Sequence, residues 1–157
     1  MEFVSVPVPS DHVMAVMAFL AKLDRKVESR TDTPRNDDDA QPIGTHGWTV
    51  GELRRLAQGQ NKTTKTVGAI MDELAKDELV KADAWLDLDD LAEATGLARG
   101  EVKGCWGPFT NHIRKTYVAT NWPLDSEWGP VINDSYGPVQ VYRLSREDAA
   151  AWKSVRD

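Results

Sequence analysis

Arg99 and Lys103 stand four residues apart in the stretch Leu88 to Lys103. On a helix, that spacing places both cations on one face. Their neighbours Ala98, Gly100 and Gly104 carry small side chains or none. Such a helix can come close to a polyanion while its long cations reach phosphate oxygens. Farther along, Asn111, His112, Arg114 and Lys115 add donors and cations. A second basic stretch holds Arg54, Arg55, Lys62 and Lys65, and Thr63, Thr64 and Thr66 offer hydroxyl donors at the start of a helix. The chemistry is that of contact with double-stranded DNA: Arg99 to a base edge or phosphate, Lys103 to phosphate, the others to the backbone. The competing reading is that these side chains are the solvated faces of ordinary helices.

Catalysis finds little to work with. His12, His46 and His112 lie in three separate contexts without ligand spacing to one another. Cys105, the single cysteine, sits between Gly104 and Trp106 at an expected buried position. It excludes an internal disulfide and an all-cysteine metal site. Asp37, Asp38 and Asp39 read as solvated surface rather than a metal site, and no glycine-rich loop has a phosphate-binding pattern. Trp106, Trp122 and Trp128 line a small pocket in one reading, but in a small domain such residues serve more often as core or surface cover. The expectation is therefore a protein that is not an enzyme, with no catalytic residues, no metal and no cofactor.

The element that must position Arg99 and Lys103 is a pair of short helices around a tight turn. Leu88, Leu91 and Ala92 fall at i, i+3 and i+4 on one helical face, and Asp87 is placed to cap it. Gly96 lacks a Cβ and suits the left-handed residue that ends a helix. Leu97 then plugs the angle between the helices, and Val102 holds the second one down. A small residue, Gly four later and an aliphatic six beyond is the packing code of a helix-turn-helix. Gly107 and Pro108 predict a kink or restart, with Phe109, Ile113 and Tyr117 continuing the inward face to about Val118.

Around this unit the chain divides into three parts. Residues 1–27 read as a strand, Phe3 to Val8, and a helix from Ser10 to about Lys26 with an apolar stripe of Val13, Val16, Met17, Leu20 and Leu23. That stripe suits either packing on the core or a homodimer contact. Residues 28–47 read as a flexible acidic linker with almost no apolar residue. Residues 48–157 hold the rest. A helix is predicted from Trp48 to about Ala57, with Thr49 as cap and Trp48, Leu53 and Leu56 inward. A second is predicted from Thr63 to Asp77, with Val67, Ile70, Met71 and Leu74 on one face. Val80 to Trp85 reads as extended. Asn121 to Leu124 and Gly129-Pro130 read as irregular or extended chain. Val139 to Leu144 reads as a strand, paired antiparallel with one around Pro123 to Val131. Ser145 caps a last helix docked by Ala149, Trp152 and Val155.

At 157 residues and 41% hydrophobic, the chain can build one core with an appendage. No apolar run approaches a membrane span and the N-terminus does not read as a signal peptide, so a soluble cytoplasmic protein away from membranes is expected. The formal net charge of −6 is awkward for a nucleic-acid binder, so distribution matters more than sum. Gly51 to Gly68 sets four cations against Glu52, and Ala98 to Val118 sets four against Glu101. Between them, Asp72 to Glu93 sets nine carboxylates against Lys76 and Lys81. That acidic block must face away from a duplex, since charges act over a Debye length of about 8 Å at physiological salt. The hairpin tip, Val131 to Pro138, has no Lys or Arg and carries Asp134.

Helix, helix-turn-helix and hairpin follow one another in the order of a winged helix. The layout resembles a group of small bacterial winged helix-turn-helix proteins of mostly unassigned function. The matching pieces are Val4-Ser-Val-Pro-Val-Pro9, Trp48 to Leu56, Leu91-Ala-Glu-Ala-Thr-Gly96, Asn121-Trp-Pro123 and Val141-Tyr-Arg-Leu144. The resemblance implies a mainly α protein with a small β-hairpin and a DNA-related role. The expectation is a dimeric double-stranded DNA-binding protein, a transcriptional regulator. The alternative is a protein–protein interaction module on a winged-helix scaffold that does not bind DNA and uses its acidic face on a partner.

Overall fold

The structure, a computed structural model, describes residues 41–156. The strand and helix expected within residues 1–27, the dimer contact assigned to them and most of the expected linker lie outside the described residues. The last part of that linker is ordered. β1 (Pro42–Ile43) pairs antiparallel with β2 (Trp48–Thr49), Pro42 opposite Thr49 and Ile43 opposite Trp48. Between them, the Thr45 backbone N–H and hydroxyl donate to the Asp148 carboxylate at 2.8 and 2.6 Å. A polar turn predicted to float is held by a buried acid.

α1 (Val50–Ala57) begins where its cap allows. The Thr49 hydroxyl accepts the Glu52 N–H at 3.2 Å, and the Glu52 carboxylate accepts the Thr49 N–H in return. α2 (Lys62–Leu74) starts from Asn61, whose side chain accepts the Thr64 N–H. Val67, Ile70, Met71 and Leu74 are buried along one face, as their spacing predicts. The piece expected to be extended over Val80 to Trp85 is instead helical in its first half, since α3 spans Asp77–Ala82, and only the rest, from Asp83, is non-helical. Asp77 and Glu78 sit in its first turn and Lys81 in its last, each favourable to the helix dipole, and left-handed Asp83 ends it. Short elements of this kind carry no full apolar period, so patterning cannot reveal them.

β3 (Leu86–Asp87) leads into α4 (Leu88–Thr95), where Asp87 accepts the N–H groups of Asp89 and Asp90. Gly96 takes φ +70°, the left-handed stop expected of it. α5 (Arg99–Thr116) then runs as one helix through Gly107 and Pro108, without the expected restart. Glycine explains the continuity. The residue before proline normally resists helical torsions because its Cβ meets the pyrrolidine ring, and Gly107 has none. Pro108 cannot donate to the Gly104 carbonyl, but both residues are exposed, so water can serve that acceptor.

β4 (Asp125–Trp128) and β5 (Gln140–Arg143) form the expected antiparallel hairpin, Ser126 opposite Tyr142 and Trp128 opposite Gln140. β3 adds to the far side of β5, giving the antiparallel order β3-β5-β4. Gly129-Pro130 is not extended: Pro130 opens a helical turn, α6 (Gly129–Ile132), and a 3-10 turn over Asp134–Tyr136 follows. α7 (Arg146–Arg156) starts at Ser145, whose hydroxyl accepts the Asp148 N–H. The result is mainly helical with a small antiparallel sheet, an α+β architecture.

One core joins the elements. Trp48, Leu53 and Leu56 meet Ile70 and Met71 of α2, Leu91 of α4, Val102, Phe109 and Ile113 of α5, Tyr142 of β5 and Trp152 of α7. α7 also disposes of much of the acidic block. Asp72 binds the Arg156 guanidinium and the Trp152 indole N–H, and Asp77 binds Lys153. Asp83 binds Arg143, and Glu73 binds Lys76. Among the described residues, no helix is long and apolar enough to cross a membrane.

Candidate nucleic-acid interface

Burial of Val102, Cys105, Trp106, Phe109 and Ile113 fixes which way α5 faces. The opposite line is then Gly100, Gly104, Gly107 and Asn111, all exposed. Gly107 is accounted for by the ring of Pro108, but a Cβ added at Gly100 or Gly104 would meet nothing within 4 Å. Internal packing therefore gives no reason for glycine there, although each costs a helix about 1 kcal/mol relative to alanine. Lys103 and Arg114 flank this line on one side and Lys115 on the other, and all three are exposed. Glu101, the acid of the first turn, flanks the line on the Lys115 side and bonds Lys62 of α2 at 3.0 Å.

Gly100→Ala and Gly104→Ala are each expected to raise stability by about 0.5–1 kcal/mol, because they improve helix propensity and restrict the unfolded chain without a clash. Thermal unfolding of each variant checks this; a lowered midpoint would show that these positions need glycine for folding.

The other predicted contacts divide. Arg99 is exposed, but its guanidinium lies against Asp89 of α4, so a phosphate must first displace that carboxylate. Exposed pairs of this kind contribute about 0–1 kcal/mol, and exchange is cheap. Lys62 and Lys65 are exposed near the start of α2, Lys62 turned to Glu101. Arg55 reaches the Thr116 carbonyl at the C-terminal end of α5. Arg54 is exposed on α1 beside Gln58 and Arg156. Thr64 and Thr66 are buried, so only Thr63 of the three threonines is partly open to solvent. His112 is half-buried: its ring stands edge-on to Tyr117 with centroids 5.5 Å apart, and Nδ1 is 3.3 Å from the Thr116 hydroxyl. Burial lowers its pKa from the ordinary value of 6.5, so it is neutral at pH 7 and brings no charge to a phosphate.

Cys105 is buried as expected, and its thiol donates to the Val102 carbonyl. Burial pushes its pKa up to about 12. Iodoacetamide at pH 8 is expected to leave the folded protein unmodified and to label it once urea unfolds it, read by mass spectrometry. Labelling of the native chain at the rate of a free thiol would overturn this.

Two features escaped the sequence. Glu52, counted only as a stray negative charge, is buried, and its carboxylate accepts the Val118 and Ala119 N–H groups at 2.6 and 3.2 Å. It fixes the end of α5 to the start of α1. His46, assigned to the linker, is partly buried with Nε2 3.1 Å from Asp125 and 3.6 Å from Asp148. Those are ion-pair distances, but neither carboxylate is aligned for a hydrogen bond to it. The signals that bring these groups together span tens of residues, beyond the reach of local pattern.

Trp106 is buried in a ring stack between Trp122 and Tyr142, centroids 4.7 and 4.9 Å away, so it belongs to the core rather than to a pocket wall. No protein-family model matches this sequence, and neither a curated protein nor a solved structure matches it either.

Proposed function

We propose that the chain is a double-stranded DNA-binding protein of the winged helix-turn-helix class, acting as a transcriptional regulator. The observation that carries this reading is the outward face of α5: a line of three glycines and Asn111, edged by Lys103, Arg114 and Lys115. An α-helix with ordinary side chains is about 10–12 Å across and the major groove about 12 Å wide. Removing side chains from the leading edge lets the backbone approach the groove floor. Asn111 then presents the paired donor and acceptor that suit adenine, and the flanking cations face phosphates.

The surrounding fold supports the same reading. A helix, a Gly96 turn and a second helix are followed by a hairpin, and β3 completes a sheet in the order β3-β5-β4. Pairing of Asp72, Glu73, Asp77 and Asp83 with cations of the chain offsets four of the nine carboxylates of the acidic block. The reading differs from the sequence-based one in emphasis. Asp89 draws Arg99 away, and the uninterrupted α5 moves the centre of the face toward Lys103–Lys115.

The test is an electrophoretic mobility assay on mixed genomic duplex fragments across a salt series. Binding should weaken linearly in log–log form as salt rises, because phosphate contacts release counterions. No retardation at low salt would remove the proposal.

A further inference from the structure

The large hydrophobic side chains left exposed are concentrated at the hairpin tip. Val131 is 68% exposed, Trp128 45% and Ile132 37%; among the described residues only Val118, at the far end of α5, joins them. Beside this ridge lies an open cleft of about 690 Å³, whose lining includes Trp85, Trp122, Leu124, Asp125, Glu127 and Ile132. Ridge and cleft are joined at Ile132, which belongs to both, while Glu127 and Trp128 alternate along β4 and point to opposite faces of it.

Its unpaired carboxylates leave an acidic excess, because the Arg143 guanidinium that also lines the cleft is already paired with Asp83 and Asp125. Glu127 and Asp134 are exposed, and among the described residues neither has an ion-pair partner. From Ser126 to Val139 there is no Lys or Arg. The cleft wall already shows what it receives. The Arg143 guanidinium stands 4.6 Å over the Trp85 ring and bonds Asp125 at 2.9 Å and Asp83 at 2.6 Å. An aromatic face with carboxylates at its edge is a cation-binding arrangement.

From this we infer that the ridge and cleft bind a segment of a partner protein in which apolar side chains alternate with arginine or lysine. The apolar residues pack on Val131 and Ile132. A cation enters the cleft against Trp122 and Glu127. Charge complementarity selects this occupant over a duplex, whose phosphates Glu127 and Asp134 would repel. The cleft touches α5 at Thr110, on the stripe that carries Lys103 and Arg114, but Glu127, Val131 and Ile132 all lie on the hairpin, so the inference stands whether or not α5 binds DNA.

Fluorescence anisotropy of the full chain with a fluorescein-labelled peptide of alternating leucine and arginine tests it. Val131→Ser and Glu127→Lys change exposed side chains and should each weaken binding about tenfold, while Lys103→Glu leaves it unchanged. Peptides with glutamate for arginine, or serine for leucine, should bind at least about tenfold more weakly. Binding that followed net charge alone, unchanged in Val131→Ser and tighter in Lys103→Glu, would reduce the effect to general attraction toward an acidic chain and overturn the inference, as would equal binding by all protein variants. Absence of peptide binding would overturn it as well. If Val131→Ser instead weakens retardation of duplex DNA, the ridge is a groove wedge. If it abolishes a concentration-dependent dimer in sedimentation, the occupant is a second copy. Either result replaces the proposed partner.

Discussion

Reversing two charges on the outer face of α5, Lys103→Glu with Arg114→Glu, is expected to weaken duplex binding about a hundredfold at fixed salt. A hydrogen bond to a charged group contributes about 1.5–3 kcal/mol, so losing two contacts removes about 3 kcal/mol or more, and each 1.4 kcal/mol is tenfold. The salt dependence must change as well. Each phosphate contact adds about 0.9 to the slope of log affinity against log salt, so the double variant should lose close to two units. Both side chains are exposed and, among the described residues, no ion pair includes them, so unfolding does not confound the result. Asn111→Ala should behave differently: little change on random duplex, but about 1–3 kcal/mol less discrimination at the preferred site. Unchanged affinity and slope in the charge-reversed protein would mean that this face does not meet DNA, whatever the mobility assay gives for the native chain.

The glycine line sharpens that expectation into a trade-off. If Gly100 and Gly104 are kept for close approach, alanine there stabilises the helix and weakens binding together. A packing role predicts the opposite sign for stability, and a neutral surface predicts no change in binding. Sequence alone exposed half of this. Gly100 and Gly104 were legible as small residues beside two cations, because helical spacing is a local property. Gly107 was read as a break because it precedes Pro108, and the same missing Cβ that suggests a turn is what lets the helix pass through proline.

The same division between local and distant signals runs through the fold. Asp87, Gly96, Thr49 and Ser145 act within three residues of themselves, and their caps and stops fall where chain chemistry places them. Helix α3 did not announce itself, since six residues hold too little apolar pattern and its docking depends on Lys153, far along the chain. Thr45 and His46 lie in a stretch whose composition reads as solvated linker. Asp148, about a hundred residues away, holds that stretch and is itself buried by α7. Composition measures how much apolar surface a segment can bury, and it says nothing about a distant carboxylate that supplies its hydrogen bonds.

Glu52 carries the largest expected effect on stability. Its carboxylate is 8% exposed and accepts four hydrogen bonds, from the Thr49 N–H and hydroxyl and from the Val118 and Ala119 N–H groups. Glu52→Ala removes the acceptor and leaves the backbone N–H groups just after α5 without it, one of them, Ala119, buried. Orphaning a buried donor costs about 1–3 kcal/mol, and bonds to a charged acceptor sit at the high end. The expected loss is about 3–4 kcal/mol in urea unfolding, a large share of the roughly 5–15 kcal/mol available to a domain. Glu52→Gln should cost less, about 2 kcal/mol, because one oxygen still accepts while the amide must turn its own hydrogens toward donors. The intermediate loss in Glu52→Gln matters as much as the size in Glu52→Ala: it follows if the site's value lies in accepting hydrogen bonds. Equal losses would point to the negative charge itself, a Gln variant as stable as the native chain to packing of the side-chain stem, and a loss below about 1 kcal/mol in Glu52→Ala would show that water replaces the carboxylate. Because Glu52 clamps the residues just after Thr116, its removal also frees the last turn of α5, which carries Arg114 and Lys115. Glu52→Gln, still folded, should therefore bind duplex DNA more weakly than the native chain if those two cations depend on a fixed helix end.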